Sequence, residues 1–375
     1  MKVVINALPY KHNSSGIGIM LRELFSPFLK IAGQSCRVVL PKNSPPFCAG
    51  DQVQLCEAPC TYEQGIRRLL FQSFVLGPRY CRDAVLLTTD SKIPLLLPRS
   101  CRLMSLITDL AVFRMSEVYQ SSRVFLWRLQ YRKLCKRADK LLAISEFTKR
   151  ELTEVLGVPP EKIEVVPCAC PNTVQRVTDP AALARVKEKY SLPEHYLLFV
   201  GNYNPRKNLA RLIRAFDLFK QRGDSPCELV IAGGQGWKFD EKKALEGVRA
   251  SDSVHFIGYV PDEDMSALYT GAELFLFPTL YEGFGIPVLE AQRCGTAVLT
   301  SGVSSLPEVG GDAAWYVDPL DVEDIARGMS TLTKDTLLRK QLVEKGYANE
   351  KHFSWEKSAR RLAELIEENE TDDLL

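Results

Sequence analysis

A glycine-rich turn with the sequence PTLYEGFGIPVLEA spans residues 278 to 291. The strand-like segment ELFLFP leads into it, and Gly283 and Gly285 permit close approach of the backbone to a ligand. Pro287 suits the first turn of a helix, so the sequence predicts a helix that begins near Ile286. The amide groups at such a helix start favour an anion, for example a phosphate.

Two glutamates, Glu282 and Glu290, flank this turn. Carboxylate oxygens accept hydrogen bonds from hydroxyl groups, so two carboxylates on either side of a phosphate-sized gap suit a nucleotide sugar. One glutamate would hold the sugar hydroxyls and the other the ribose. The alternative is an ordinary strand–turn–helix connection in which Glu290 only complements the helix dipole.

A second candidate site lies in FVGNYNPRKNLARLI, where Gly201 ends a predicted strand and Arg206 and Lys207 precede a predicted helix. Cations at the amino end of a helix are unfavourable. A bound diphosphate would explain both residues, because fixed cations stabilise the negative charge that develops on a phosphate leaving group. A solvated basic pair is the alternative.

A further glycine pair, Gly16 and Gly18, lies at a loop-to-helix junction in YKHNSSGIGIMLREL. The dinucleotide-binding fingerprint does not fit, because the third glycine and the acidic residue after the next strand are both missing. The pair would serve instead for close backbone approach to a ligand.

Strand-like and helix-like segments alternate along the chain, which predicts parallel sheets covered by helices on both faces. The strands are KVVINA, RVVL, AVLL, RLMSLI, KLLAI and IEVV in the first half, and YLLFVG, ELVIAGG, VHFIGYV, ELFLFP and TAVLT in the second. A proline-broken segment at 167–180 is the best linker candidate. We therefore predict an α/β fold of two doubly wound, Rossmann-like domains, at 1–172 and 180–350, that face each other across a cleft.

The composition of the 375-residue chain, 46% apolar and 25% charged, is that of a soluble globular protein. The sequence starts like a strand rather than a signal peptide and has no membrane-spanning apolar run, so we expect a cytoplasmic protein. Its eleven cysteines match no zinc or redox signature and are expected to be reduced thiols.

Residues 1–164 carry a formal charge of +10 and the remainder −8. This division indicates either uneven surface solvation or a first half that faces an anionic surface such as the cytoplasmic leaflet.

Taken together, these segments resemble the retaining nucleotide-sugar glycosyltransferases with the GT-B architecture, family 4 in the usual classification. The segments that match are Gly16 to Gly18, FVGNYNPRKNL, IAGG, FPTLYEGFGIPVLEA and SSLPEVGGDAAWYVDP, in the family's order along nearly the whole chain. The resemblance implies an N-terminal domain that binds the acceptor and a C-terminal domain that binds the nucleotide. It also implies that the C-terminal helix, at 353–370, returns to the N-terminal domain.

The resemblance assigns roles around the glycine-rich turn. Glu282 would bind the hydroxyls of the donor sugar and Glu290 the ribose. The amides of Gly283, Phe284 and Gly285 would lie near the sugar and the phosphates.

The remaining implied roles concern the diphosphate. Arg206 and Lys207 would neutralise its charge, with Gly201 in the same donor site. Gly16 and Gly18 would let the N-terminal domain approach the donor phosphate. Family members generally work without a metal, so no metal and no cofactor are expected beyond the nucleoside diphosphate sugar, which is a substrate.

The segment MSLITDLAVFRMSEVY departs from the family pattern. It resembles a stretch that commonly reads His-Asp-Leu, with the histidine near the reacting sugar; here Thr108 replaces the histidine and Asp109 is retained as a candidate catalytic residue. A threonine hydroxyl can hydrogen-bond a sugar oxygen but cannot carry charge. The alternative for Asp109 is a carboxylate at a turn or helix entry.

The function implied is a hexosyltransferase that acts on an acceptor hydroxyl of a growing glycan or a lipid-linked saccharide. SSGIGIMLREL and SSLPEVGGDAAWYVDP resemble mannosyltransferases of bacterial surface polysaccharide synthesis, such as that of lipopolysaccharide, so GDP-mannose is the first donor expected and UDP-sugars come next. The basic helix from Arg123 to Lys140 predicts peripheral contact with the inner face of an anionic membrane, and no nucleic acid partner is expected. The alternatives are a nucleotide-sugar epimerase and a non-catalytic nucleotide-sugar-binding protein, the latter supported by Thr108.

Overall fold

The structure, a computed structural model, describes residues 2–10, 16–32, 36–44, 53–89, 92–119, 121–223, 225–234, 236 and 239–371. The chain divides into two compact units, the first formed by Met1–Cys168 with Ser354–Leu375 and the second by Ala169–Phe353. The division after Cys168 falls inside the segment 167–180, so most of that proline-broken segment belongs to the second unit.

The first unit is built on a parallel sheet. Its strands are β1 (Lys2–Asn6), β2 (Cys36–Leu40), β3 (Gln54–Glu57), β4 (Ala84–Thr88), β5 (Arg102–Ile107), β6 (Lys140–Ala143) and β7 (Ile163–Val165). They lie in the order β3-β2-β1-β4-β5-β6-β7. The six predicted strands are all present. The edge strand β3 was not predicted, because its mostly exposed QLCE sequence lacks the apolar run of a central parallel strand.

Helices connect these strands. They are α1 (Gly16–Ala32), α2 (Gly65–Leu70), α3 (Leu76–Tyr80), α4 (Ala111–Arg114), α5 (Ser121–Arg137) and α6 (Glu146–Leu156). A π-helical turn at Phe71–Val75 joins α2 to α3. The central strand β4 is buried along its whole length, as expected for a parallel sheet covered on both faces.

The second unit repeats this architecture. Its strands are β8 (Tyr196–Val200), β9 (Glu228–Ala232), β10 (Val254–Gly258), β11 (Leu274–Phe277), β12 (Ala297–Ser301) and β13 (Ala314–Val317), in the order β10-β9-β8-β11-β12-β13. Its helices are α7 (Pro180–Lys189), α8 (Leu209–Gln221), α9 (Glu241–Leu245), α10 (Asp262–Thr270), α11 (Ile286–Cys294), α12 (Leu306–Gly310), α13 (Val322–Lys334) and α14 (Thr336–Asn349). The doubly wound fold class is confirmed; only β13 was not predicted in this half.

The strand order fixes where a ligand site can form in the second unit. β8 pairs with β9 on one side and with β11 on the other, so the chain winds away from β8 in both directions. Loops that leave such a switch point diverge at the carboxyl ends of the strands and leave a crevice there. Stacked rings support this edge, since the ring centres of Phe199 and Phe277 lie 6.1 Å apart.

The last helix, α15 (Trp355–Thr371), belongs to the first unit, as predicted. It packs against α1, and the Ser358 hydroxyl donates to the carbonyl oxygen of Pro167 at 2.7 Å. The end of the chain therefore completes the unit in which the chain begins.

Candidate functional site

Three predicted site residues meet at the switch point of the second unit. Lys207 ends a 3₁₀ turn, Pro205–Lys207, in the connection after β8, and Glu282 lies in the connection after β11. Lys207 Nζ is 2.9 Å from Glu282 Oε1, and Arg206 Nη1 is 3.6 Å from Glu282 Oε2. The two neighbouring strands thus bring two cations and one carboxylate together.

This cluster is largely withdrawn from water. Burial opposes ionisation of Glu282, but the Lys207 and Arg206 charges outweigh it and hold the pKa of that carboxyl below its usual value. Lys207 Nζ also lies 4.5 Å from the ring centre of Phe277, a favourable position for a cation. The two cations thus share one buried carboxylate, with Lys207 at one of its oxygens and Arg206 at the other.

A buried asparagine fixes the loop that carries the cations. Asn208 has a left-handed backbone (φ 62°), and its side-chain amide donates to the carbonyl oxygens of Pro278 at 2.9 Å and Pro319 at 2.7 Å. The amide of Leu280 donates to the carbonyl oxygen of Arg206 at 2.9 Å. The sequence analysis missed Asn208; its signal was an asparagine at a helix start, a residue type that tolerates positive φ.

The glycine-rich turn begins α11 at Ile286, as the sequence predicts. Gly285 has φ 113°, a backbone conformation in which any side chain would be strained, and an added Cβ would lie 2.8 Å from Leu306 Cδ2. Phe284 is buried, with its ring 5.6 Å from that of Phe353 in an edge-to-face contact. Phe284 can therefore offer a ligand its backbone rather than its ring.

Two serines hold this turn from the loop before α12. Ser305 Oγ lies 2.7 Å from the carbonyl oxygen of Phe284 and 2.9 Å from that of Glu282, so its one proton is shared between them. The amide of Glu282 donates to Ser304 Oγ at 3.0 Å. The sequence analysis included SSLPEV only as part of a family resemblance. The role of the serines could not be predicted, because it depends on contacts between segments more than twenty residues apart.

Glu290 lies one turn into α11 and is buried. Its Oε2 accepts a hydrogen bond from the Tyr269 hydroxyl at 2.7 Å, and the Tyr269 ring packs edge-on against Phe275. Burial raises the pKa of Glu290 to about 7, against the opposing effect of this hydrogen bond. Tyr269 was not predicted as a site residue.

Gly201 follows β8 and lies against Gly233, which follows β9. The carbonyl oxygen of Gly201 would be 2.1 Å from a Cβ added to Gly233, which has φ 148°. The glycines thus let two strand ends approach closely beside the cation loop.

The other predicted site residues lie in the first unit. Gly16 is the first residue of α1, and Gly18 is buried in its first turn. Asp109 Oδ1 accepts a hydrogen bond from the amide of Ala111 at 2.9 Å, at the entry to α4. This is the turn role given above as the alternative for Asp109, and its catalytic role stays a prediction.

The basic helix predicted from Arg123 to Lys140 is α5, which ends at Arg137, because Lys140 begins β6. Val124 and Leu134 are buried, whereas Arg132 and Lys136 are exposed. Within the described ranges, no helix has the length and hydropathy needed to cross a membrane.

Two family models match the chain. Residues 183–349 match the model described as Glycosyl transferases group 1, and residues 107–171 match that of Glycosyltransferase Family 4. The first contains the cation pair and both glutamates, and the second contains Asp109.

Several curated proteins are similar in sequence. O-antigen chain mannosyltransferase B of Escherichia coli is 34% identical over 251 residues, which cover 66% of this chain and 65% of that protein. The serotype-specific mannosyltransferase WbdA of Escherichia coli is 33% identical over 232 residues, which cover 60% of this chain and 28% of that protein. A D-inositol 3-phosphate glycosyltransferase of Salinispora arenicola is 32% identical over 248 residues, which cover 62% of this chain and 55% of that protein. These matches span less than two thirds of each relative's length.

Solved structures share the fold across almost the whole chain. Sucrose-phosphate synthase from Thermosynechococcus elongatus aligns with a TM-score of 0.77 at 18% identity, over 99% of this chain and 100% of that one. WaaG, a glycosyltransferase involved in lipopolysaccharide biosynthesis, aligns with a TM-score of 0.74 at 17% identity, over 97% of this chain and 99% of that one. The chain therefore has the two-domain GT-B fold.

Proposed function

We propose that the chain is a glycosyltransferase that transfers a hexose from a nucleoside diphosphate sugar to an acceptor hydroxyl, as the two matching family models and the named relatives support. The observation that carries this proposal is the buried cluster of Arg206, Lys207 and Glu282 beside the turn that begins α11. Two cations beside the start of helix α11 suit a diphosphate, and the carboxylate suits sugar hydroxyls.

Each residue of the cluster has a separate task in this reaction. Arg206 and Lys207 stabilise the negative charge that grows on the diphosphate as the glycosidic bond breaks. Glu282 holds hydroxyls of the donor sugar, and Glu290 holds the ribose. The amides of Gly283 and Phe284 lie in the same turn and provide neutral hydrogen-bond donors for the donor sugar and phosphates.

We propose that transfer retains the configuration at the anomeric carbon. The acceptor hydroxyl attacks from the face that the diphosphate leaves, and the departing phosphate oxygen takes the proton from that hydroxyl. The protein then contributes charge stabilisation and orientation rather than a nucleophile or a metal.

GDP-mannose is the donor proposed first, with UDP-sugars next. Support comes from two relatives that are named as mannosyltransferases, O-antigen chain mannosyltransferase B and WbdA. The acceptor is then a saccharide of a growing surface polysaccharide, free or lipid-linked. Asp109, Gly16 and Gly18 belong to the first unit, which we propose binds the acceptor.

We also propose peripheral contact with an anionic membrane through α5. This helix exposes Arg132, Lys133 and Lys136, and each basic side chain near an anionic surface adds to the attraction.

A donor screen tests the proposed function. A bound donor stabilises the folded protein by mass action, so GDP-mannose should raise the melting temperature more than UDP-glucose, UDP-galactose or mannose alone. NMR of GDP-mannose incubated with the protein, with and without a saccharide acceptor, then reports the reaction. Transfer that needs the acceptor supports the proposal, whereas isomerised sugar without acceptor indicates an epimerase, and binding without any release of diphosphate indicates a non-catalytic protein.

A further inference from the structure

The chain passes between its two units twice, after Cys168 and after Phe353. On the second-unit side, we call residues 169–171 the first crossing segment and residues 350–353 the second crossing segment. The crossings connect the unit that holds the proposed donor site to the unit that we propose binds the acceptor. Contacts within the second unit tie both segments to α11, the helix that begins at the glycine-rich turn.

Arg293 lies in the last turn of α11, and its guanidinium binds both crossing segments. Nε and Nη2 lie 2.9 and 2.8 Å from Oε2 of the buried Glu350, in the second crossing segment. Nη1 donates to the carbonyl oxygens of Pro171 at 3.1 Å and Cys170 at 3.4 Å, in the first crossing segment. The planar guanidinium can serve these acceptors together because its donors point in fixed, different directions.

The turn before α11 contacts the second crossing segment as well. The ring centre of Phe353 lies 5.6 Å from that of Phe284, which belongs to the glycine-rich turn. The donor turn and the far end of α11 therefore both touch residues that lie next to a crossing.

The first crossing segment lies close to Glu290, the glutamate that we assign to the ribose. Burial raises the pKa of the Cys170 thiol, and the negative charge of Glu290 raises it further. The Arg293 charge acts on both groups, because it lowers the pKa of this thiol and favours the Glu290 carboxylate. Glu290, Arg293 and the first crossing segment thus form one electrostatic group.

We propose that Arg293 is a positioning residue for sugar transfer, which transmits donor binding at the start of α11 to both crossing segments. A donor held by Glu290 and the glycine-rich turn restrains α11, and Arg293 carries this restraint to the crossings. All three guanidinium nitrogens are engaged with the crossing segments, so the residue acts through these segments rather than on the donor. The inference rests on the proposed function, because it assigns the donor and the acceptor to different units.

A charge at the end of the helix is the simpler explanation of Arg293, since cations stabilise the carboxyl end of a helix. A lysine would serve that purpose equally well. The contacts with Glu350 and with the carbonyl oxygen of Pro171 would then have no purpose in the reaction. The experiment must therefore separate the bridge from the charge.

Calorimetry and turnover of Arg293→Met test the proposal. We expect the Kd for GDP-mannose to change by less than about twofold, because every group assigned to the donor is kept, and turnover at saturating donor and saccharide acceptor to fall at least about tenfold. The assays are run about 1.5 pH units above the Glu290 pKa of about 7, so that loss of the Arg293 charge does not protonate this glutamate.

Arg339→Met is the matched control. Arg339 is also a half-buried arginine of the second unit, and it binds Glu273 at 3.2 Å and the carbonyl oxygen of Thr333 at 3.3 Å. Neither partner belongs to a crossing segment, so this variant should keep full turnover well below its melting temperature.

Hydrogen exchange measures the transmission itself. In the wild type, GDP-mannose should slow exchange in peptides that contain the glycine-rich turn and in those that contain the first crossing segment. In Arg293→Met, the effect of the donor on the turn should remain and its effect on the first crossing segment should be lost. A purely structural role would instead raise exchange equally with and without the donor, and would overturn the proposal.

A conservative variant separates the bridge from the charge. Arg293→Lys keeps the positive charge at the helix end and beside Glu290 but lacks the planar fork, so its turnover should also fall. Full turnover in Arg293→Lys, or equal turnover in Arg293→Met and Arg339→Met, overturns the proposal. Should Arg293→Met fail to fold, Glu350→Gln repeats the test, because it weakens one arm of the bridge and keeps the arginine.

The same measurements distinguish this inference from the proposed function. A wild type and an Arg293→Met variant that transfer sugar equally overturn the inference and leave the proposed function in place. A wild type in which GDP-mannose protects the first crossing segment but no sugar is transferred contradicts the proposed function and supports the transmission. A wild type that binds no donor overturns both.

Discussion

The Tyr269 hydroxyl and the Glu290 carboxylate form a buried hydrogen bond of 2.7 Å between α10 and α11. It occupies Oε2 and fixes the rotamer of the glutamate. Because Tyr269 packs edge-on against Phe275 of the sheet, the position of Glu290 is set from the core of the second unit. In the proposed function, Oε1 is the oxygen that faces the ribose.

Removal of this hydroxyl should weaken donor binding. We expect Tyr269→Phe to raise the Kd for GDP-mannose by about threefold to tenfold, since a hydrogen bond to a charged group is lost while the ring keeps its packing. Calorimetry of the wild type and the variant measures the change. Tyr196→Phe is the matched control, because the buried Tyr196 hydroxyl also donates at 2.7 Å, but to the carbonyl oxygen of Leu268. An equal loss of affinity in both variants would mean that the effect is general destabilisation.

Donor binding should depend on pH through Glu290. Its pKa is raised by burial to about 7, and the groups that act on it are Tyr269, Asp262, Arg293 and Lys207. Protonation of the Glu290 carboxylate weakens Oε1 as an acceptor for a ribose hydroxyl, so the Kd for the donor should increase as the pH falls below about 7 and should level off above it. Calorimetry across this range gives the midpoint.

Two variants show whether Glu290 causes this dependence. In Glu290→Gln the midpoint near neutral pH should disappear. In Tyr269→Phe it should move upward, because the lost hydrogen bond had favoured the carboxylate. The pH dependence of stability runs opposite to that of donor binding. The folded protein holds the Glu290 proton more tightly than the unfolded chain does. Its unfolding free energy, relative to that of Glu290→Gln, should therefore fall as the pH rises from about 4.5 to about 7.

Replacement of Glu282 should abolish transfer. Glu282→Gln keeps the shape of the side chain but leaves Lys207 and Arg206 without the buried carboxylate, so we expect loss of activity and about 1–3 kcal/mol less unfolding free energy. Turnover and chemical denaturation measure the two effects. Glu151→Gln is the control, since Glu151 is a buried carboxylate that Arg114 binds at 2.6 Å in the first unit. Near-normal turnover in Glu282→Gln would contradict the role assigned to this residue.

Transfer should proceed without a divalent metal. In the proposed reaction, Arg206 and Lys207 supply the positive charge that stabilises the leaving diphosphate, so an excess of EDTA should leave turnover unchanged. Lys207→Met should lower turnover by about a hundredfold, because one of the two cations is gone. Activity that EDTA removes and Mg²⁺ or Mn²⁺ restores would contradict this mechanism.

The sequence predicted what depends on local pattern and missed what depends on distant contacts. Apolar runs identify every central strand, and Gly285 with Pro287 predicts the start of α11 because both act on their own backbone. Asn208 and Ser305 hold the site through carbonyl oxygens far away in the chain. A single sequence does not indicate which distant carbonyl oxygen a given side chain will contact.

Asp109 and the helical run from Gly65 to Tyr80 show the same limit in other ways. The sequence left two roles open for Asp109. The structure shows that its carboxylate accepts a hydrogen bond from the Ala111 amide at the entry to α4, and its catalytic role stays a prediction. The stripe of Ile66, Leu70 and Phe74 has the spacing of a core-facing helix. Its exposure becomes evident only when Phe71 is seen to occupy the inner face.

Loss of the Ser305 hydroxyl should loosen the turn without removing any group that binds the donor. In Ser305→Ala, the carbonyl oxygens of Glu282 and Phe284 lose a buried hydrogen-bond donor, which should lower the unfolding free energy by about 1–2 kcal/mol. Because the amides of this turn and Glu282 then lose their fixed geometry, turnover should fall by at least about tenfold.

Ser358→Ala is the matched control for this last effect. Its buried hydroxyl donates to a single carbonyl oxygen, that of Pro167 at 2.7 Å, in the first unit. It should lose similar stability and keep full turnover when both variants are assayed well below their melting temperatures. Equal turnover in the two variants would mean that the serine supports the fold alone, whereas a selective loss in Ser305→Ala identifies it as a positioning residue for the glycine-rich turn.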